Sequence, residues 1–208
     1  AEHYGPYRRM AAVRNGRSID VRAPSLKSRY ILSAGRVWDE AKNISLLNGI
    51  ADQLAWPIRV AGNAEDPEDA IRSAMSSVEL LGQLDPEEMS DQLQEAAIYA
   101  APALYEPFGL AILEAAAAGC ALVLSDIPSL RETWEGAAIF VSPKNPQGWV
   151  NALELLIDDE VARDHLGDLA RIRALSARFS PSTMAKGYLG LYDQLLAPGV
   201  EAEANKIA

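Results

Sequence analysis

From residue 30 onward, short apolar runs alternate with longer stretches of helical periodicity, and few folds accept that order. Tyr30–Ser33, Ile58–Ala61, Val78–Leu81, Ala97–Ala100, Ala121–Leu124 and Ala138–Val141 read as strands. Between them Ser45–Leu54, Asp66–Ala74, Pro86–Gln94, Leu110–Ala118 and Ser129–Glu135 read as helices. Strands separated by helices imply βαβ units, hence a parallel sheet covered on both faces. Gly35, Gly62 and Gly82 follow strands directly, marking the C-terminal sheet edge where open α/β folds bind ligands. Asp85-Pro86-Glu87-Glu88 is a helix opening, with a capping aspartate, proline in the first turn and acids complementing the dipole. Ser129, with Glu132 three residues on, reads as a second cap. After Val141 only helices follow, Pro146–Asp158, Val161–Ser176 and Pro181–Leu196, and the polar tail beyond Pro198 is expected to fray.

The remaining composition removes several chemistries. No run of residues approaches the ~18 consecutive apolar positions of a membrane span. The chain lacks an initiator Met and a signal-like start, so it is expected to begin inside a longer protein or to have been cut or processed. A single cysteine, Cys120, rules out an internal disulfide, fits a reducing, cytoplasmic setting, and reads as a small buried hydrophobe. His165 lies in a charged helix and reads as a surface residue; with His3 the only other histidine, a Ser-His-Asp or Cys-His enzyme within this chain is disfavoured. No His/Cys cluster has metal spacing, and neither Gly-x-Gly-x-x-Gly nor the P-loop pattern occurs. The net charge of −10 is uneven: residues 1–43 hold nine basic and four acidic residues, leaving −15 over the rest. A dispersed acidic surface argues against nucleic acid as the main partner. The basic segment reads as a solvated arm, or as a surface for phosphates, another domain or a membrane.

Three constellations remain. In "SAGRVWDEAKN", Gly35 lets the backbone turn after a strand, while Arg36 and Lys42 place two cations near the strand end. They suit phosphate, Arg36 as a bidentate fork and Lys42 as a point charge; pairing with Asp39 and Glu40 is the plainer alternative. In "EPFGLAILEAAAAG", Gly109 sits where a helix begins, so the amides of Phe108, Gly109 and Leu110 form an anion site reinforced by the dipole. Glu106 stands just outside that start and Glu114 one to two turns inside. Carboxylates hold phosphate poorly but accept hydrogen bonds from hydroxyls, as a sugar or ribose demands. A charge at Glu114, flanked by "LAIL" and "AAAA", needs a partner if buried. In "LLGQLDPEEM", a loop after the third strand offers a place for a base, or is a routine βα turn.

Together these motifs resemble the retaining glycosyltransferases of family 4, which have the two-domain GT-B fold. The resemblance is to the C-terminal, nucleotide-sugar-binding domain. It covers about residues 13–196 through "VRNGRSID", "SAGRVWDEAKN", "VAG", "LLGQL", "ALYEPFGLAILEAAAAGCALVLSDIPSLRE" and "FSPSTMAKGYLGLYDQLL". It implies an α/β, Rossmann-like sheet of about six strands over residues 27–180, with a helical C-terminus. Residues 1–26 would be a lead or interdomain linker, 181–197 a helix crossing back to an absent N-terminal domain, and 198–208 a polar tail. It further implies that Arg36 and Lys42 bind the donor diphosphate and stabilise charge on the leaving nucleotide. By the same resemblance Glu106 accepts from donor-sugar hydroxyls, and Arg36, Lys42 and Glu106 form the catalytic group. Gly35 and the amides of Phe108, Gly109 and Leu110 would bind the donor, Glu114 the ribose, and backbone at Gln83 and Leu84 the base. No metal and no cofactor is expected; the substrate would be a UDP-, GDP- or ADP-sugar. The implied reaction is hexosyl transfer to a hydroxyl in cell-surface glycan or glycoconjugate synthesis, by a cytoplasmic enzyme at the inner face of the membrane. The isolated domain would bind donor weakly and transfer little. A non-catalytic nucleotide-sugar-binding module of the same fold is the alternative. An epimerase reading is disfavoured because matching carboxylate and histidine sets are absent.

Overall fold

The computed structural model describes residues 11–19, 22–23, 25–63 and 75–196 of the 208. The expected helix Asp66–Ala74, His3 and the tail beyond Pro198 lie outside the described residues. The chain divides into two compact units, residues 19–175 and residues 1–18 with 176–208.

In the larger unit the described residues form six strands: β1 (Ser28–Ala34), β2 (Ile58–Ala61), β3 (Glu79–Gly82), β4 (Ala96–Ala101), β5 (Ala121–Ser125) and β6 (Ile139–Val141). The helices are α1 (Ile44–Ile50), α2 (Pro86–Glu95), α3 (Leu110–Ala117), α4 (Pro128–Trp134), α5 (Pro146–Asp158) and α6 (Glu160–Ala174). Every strand pairing is parallel and the order is β3-β2-β1-β4-β5-β6. The Rossmann-like sheet with surrounding helices is therefore the fold. All five residues of β5 are buried and β4 is buried but for its last residue, because strands covered on both faces bury both sets of side chains.

Alternation along the strands divides the core in two. Ile31, Ile98, Ala100 and Val123 meet Ile44, Leu47 and Ile50 of α1 and Trp149, Leu153 and Leu156 of α5. The intervening Leu32, Tyr99, Leu122 and Leu124, also buried, face the other side, where α3 packs on α6 and on α2. Full burial of each such Ile or Leu contributes about 1.5–3 kcal/mol. The helix after β1 and the helix after β4 thus leave adjacent strands on opposite faces. That opens a crevice at the C-terminal ends of β1 and β4, the point where the strand order reverses.

Two local expectations are corrected. The helix expected over Ser45–Leu54 stops at Ile50 and gives way to a 3-10 turn at Ala51–Gln53, where Ile50 flattens to φ −111°, ψ −10°. Ser129 is not a cap: Pro128, whose ring presets helical φ, occupies the first turn after Ile127, so Ser129 lies within α4. Asp85 does cap α2, accepting from Glu87 and Glu88 N–H at 2.8 and 2.9 Å, while Glu88 Oε2 accepts from Asp85 N–H at 2.9 Å. Cys120 is buried and free; burial pushes its thiol up to about 11, opposed by the nearby Lys27 charge. His165 is exposed.

In the smaller unit, α7 (Pro181–Leu196) follows a 3-10 turn at Ala177–Phe179. Residues 13–17 run beside it: Arg17 N–H donates to Phe179 O at 2.9 Å, Gly16 N–H meets Met184 Sδ at 3.3 Å, and Val13 lies against Gly187. Tyr188, Leu189, Tyr192, Leu195 and Leu196 of α7 are exposed. No helix among the described residues is long and apolar enough to cross a membrane.

Candidate functional site

Loop chemistry after β1 explains how Lys42 reaches the crevice. Gly35 N–H donates to Ala61 O at 2.9 Å, extending the ladder one residue beyond β1. Asp39 then caps a 3-10 turn, Glu40–Lys42, accepting from Ala41 N–H at 3.0 Å. Asn43 ends that turn at φ 55°, the only non-glycine with positive φ among the described residues, a conformation its short amide tolerates. Its Nδ2 donates to Pro102 O at 3.0 Å and Pro143 O at 3.1 Å. Leu104 N–H donates to Ala41 O at 2.9 Å. The loops after β1, β4 and β6 are thereby tied together at one end of the sheet.

That tie brings two distant residues into contact. Lys42 Nζ lies 2.6 Å from Glu106 Oε2, with the side chains 27% and 15% exposed. The stem of Lys42 crosses Gly35, where a Cβ would approach its Cγ to 3.0 Å. The other oxygen, Glu106 Oε1, accepts from Gly109 N–H at 2.8 Å and more weakly from Phe108 N–H at 3.4 Å. Gly109, at φ 81°, is the residue on which α3 starts. So the carboxylate is held between an ammonium and the positive end of a helix. Ser129 Oγ donates to Glu106 O at 2.6 Å, fixing its backbone from α4.

The structure thus brings together Gly35, Lys42, Glu106, Phe108 and Gly109, with Leu110 opening α3 beside them. Arg36 is held apart, 59% exposed, with Nη2 2.6 Å from Asp39 Oδ2 and its guanidinium over the Trp38 ring at 4.8 Å. The pairing of Arg36 with Asp39 matches the plainer alternative; that of Lys42 does not, since its partner is Glu106 rather than Glu40. The Arg36 hydrogen bond is the main reason the Asp39 carboxyl lies below the usual range. Glu114 sits in the second turn of α3 and is half-buried. Burial raises the Tyr99 hydroxyl well above the ordinary value, with its acidic neighbours Cys120, Glu106 and Glu114 adding to the effect. Gln83 and Leu84 follow β3 at the same sheet edge, directly after Gly82.

Between those ends runs a ledge of backbone. Gly62 N–H donates to Gly82 O at 2.8 Å, and a Cβ on Gly62 would lie 1.9 Å from Gly35 O. Gly35, Gly62 and Gly82 therefore lie side by side across β1, β2 and β3, about 10 Å at ordinary strand spacing. Trp38 after β1, Leu104 and Tyr105 after β4, and Leu110 at the start of α3 are exposed large apolar residues. A separate groove of about 390 Å³ lies between α1 and the start of α5, lined by Ser45, Leu46, Gln53, Pro143 and Lys144; of the predicted site residues, none lines it. Reading the sequence missed Asn43 and the Ser129–Glu106 contact. Asparagine directly after a cap-and-turn segment was a usable signal for the first; the second joins segments 23 residues apart and left none.

Comparison with known proteins gives the arrangement a context. The family model described as "Glycosyl transferases group 1" matches residues 28–159. The chain is 35% identical over 120 residues to glycogen synthase of Mycobacterium tuberculosis, covering 57% of this chain and 29% of that protein. It is 25% identical over 192 residues to the phosphatidyl-myo-inositol mannosyltransferase of Mycolicibacterium smegmatis, covering 88% and 49%. Sucrose-phosphate synthase from Thermosynechococcus elongatus superposes with a TM-score of 0.71 at 26% identity over 81% of this chain and 46% of that one. Anabaena HepE, solved in complex with UDP-glucose, gives 0.71 at 18% identity, covering 80% and 49%. The chain spans less than half the length of these curated relatives.

Proposed function

The chain belongs to the group 1 glycosyl transferases, and from that premise we propose that it is the donor-binding half of a retaining, family 4 enzyme. Its substrate is a nucleoside diphosphate sugar and the acceptor is a hydroxyl. The observation that carries this reading is Lys42 and the Gly109 amide converging on one point at the β1–β4 crevice. An ammonium and a helix N-terminus there suit a diphosphate. The glycine ledge leads from that point to Gln83 and Leu84, a span that suits a ribose with its base meeting backbone at the far end. Glu106 serves the hydroxyls of the transferred hexose and Glu114 those of the ribose. Binding of UDP-glucose by Anabaena HepE supports the ligand class.

In the reaction, the bond between the anomeric carbon and the phosphate oxygen breaks while the acceptor oxygen bonds to that carbon on the same face. The departing phosphate takes the acceptor proton. Lys42, and Arg36 once released from Asp39, offset the charge growing on the leaving group. The acceptor pocket belongs to an N-terminal half, for which the exposed apolar residues Trp38, Leu104, Tyr105 and Leu110 of the larger unit are suitable contacts. This half alone is therefore expected to bind donor weakly and transfer nothing, in a cytoplasmic enzyme making cell-surface glycans or glycoconjugates. A thermal-shift panel of UDP-, GDP- and ADP-sugars identifies the nucleotide. In calorimetry, Lys42→Ala then loses about 10–100-fold in affinity, the weight of a charge-assisted hydrogen bond, and Arg36→Ala loses less. Unchanged affinity in both variants refutes the phosphate assignment.

A further inference from the structure

The positive equipment of the crevice is already engaged. One carboxylate holds Lys42 Nζ at 2.6 Å through Oε2, and the Gly109 and Phe108 amides at 2.8 and 3.4 Å through Oε1. A phosphate seeking Lys42 meets a carboxylate on the same ammonium, and two anions sharing one site repel. If the phosphate takes Lys42 alone, Glu106 Oε2 loses its partner where the side chain is only 15% exposed. A group largely removed from water and stripped of its partner is costly. Sugar hydroxyls are donors, and they re-satisfy that oxygen at the moment Lys42 leaves.

We infer that Glu106 is an exchange partner that makes this site favour a nucleoside diphosphate bearing a sugar over the free nucleoside diphosphate. The inference rests on the donor-site reading above and adds a consequence to it. An intact donor replaces both partners, phosphate for carboxylate on Lys42 and hydroxyl for ammonium on Glu106. The free nucleotide left after transfer replaces only one. Glu106 then competes to recover Lys42, and the spent nucleotide is expelled. Donor selectivity and product release follow from one contact.

Matched pairs, UDP-glucose with UDP, GDP-mannose with GDP and ADP-glucose with ADP, test this by calorimetry on the full chain and on Glu106→Gln. The variant keeps the size of the side chain and an oxygen for the Gly109 amide but removes the charge that holds Lys42. For the pair that binds, free nucleotide gains at least fivefold in affinity in Glu106→Gln, the sugar nucleotide gains less or loses, and the preference for sugar falls about tenfold. Glu106→Ala moves free nucleotide in the same direction and covers the case of a poorly folding glutamine variant. Binding of a pair with its preference unchanged within twofold in both variants overturns the exchange role and leaves the donor site standing. If no pair binds the wild-type chain or either variant, the donor-site reading falls, and this inference with it.

Discussion

Gly62 shows how little room the sheet edge leaves. Its φ is +147°, and a Cβ would lie 1.9 Å from a backbone oxygen of Gly35 that no side-chain rotation can move. Gly62→Ala is therefore expected to cost about 2–4 kcal/mol in urea unfolding and to disturb the crevice next to Lys42. Gly82 also has positive φ, 73°, but open space where its Cβ would stand, so Gly82→Ala costs about 1 kcal/mol for backbone strain alone. Equal destabilisation by the two would show that the close approach at Gly62 is unimportant. Lys42 illustrates the limit of local spacing at this scale. Its nearest acid in sequence is Glu40, yet its partner is Glu106, 64 residues away, a pairing created by the neighbouring positions of β1 and β4.

Among the elements, the segment from Asp39 to Asn43 does most to assemble the crevice. Asn43 links the loops after β4 and β6 through two hydrogen bonds and also adopts left-handed backbone. Asn43→Ala removes both, with an expected loss of about 2–3 kcal/mol; Asn43→Gly keeps the backbone and loses about 1 kcal/mol less. Urea midpoints of the two variants separate the contributions, and identical losses would assign everything to the side chain. Elements were legible in the sequence where one strong local cause set them. The buried central strands announced themselves as unbroken apolar runs, and Asp85-Pro86 fixed the start of α2 to the residue. Ser129 was misread because proline one position earlier sets where α4 begins, which leaves the hydroxyl available to Glu106. The site was legible as a set of residue types. That Glu106 fills its own anion site was not, because this depends on which loops the strand order places together.

For the whole molecule, two buried acids contribute to the loss of stability in alkali. Burial pushes Tyr30 up to about 12, with the charge of Glu95 adding, and Cys120 up to about 11. Both groups fold in the neutral form. Their contribution is thus complete below their unfolded values and is lost as pH rises through the folded ones. For Cys120 that window is pH 9 to about 11, and the two-unit displacement corresponds to about 2–3 kcal/mol. Cys120→Ala is expected to flatten the fall in stability over that window, and an unchanged slope would remove the thiol from the explanation. The most direct test of the donor site follows backbone amide resonances of the full chain while the tightest-binding sugar nucleotide is added. Binding at the β1–β4 crevice replaces the Lys42 partner of the carboxylate that holds the Gly109 and Phe108 amides and brings phosphate beside them, so these two and Gly35 shift first and furthest. Shifts centred instead on Ser45, Leu46 and Lys144 in the groove beside α1, with Gly109 still, would contradict it.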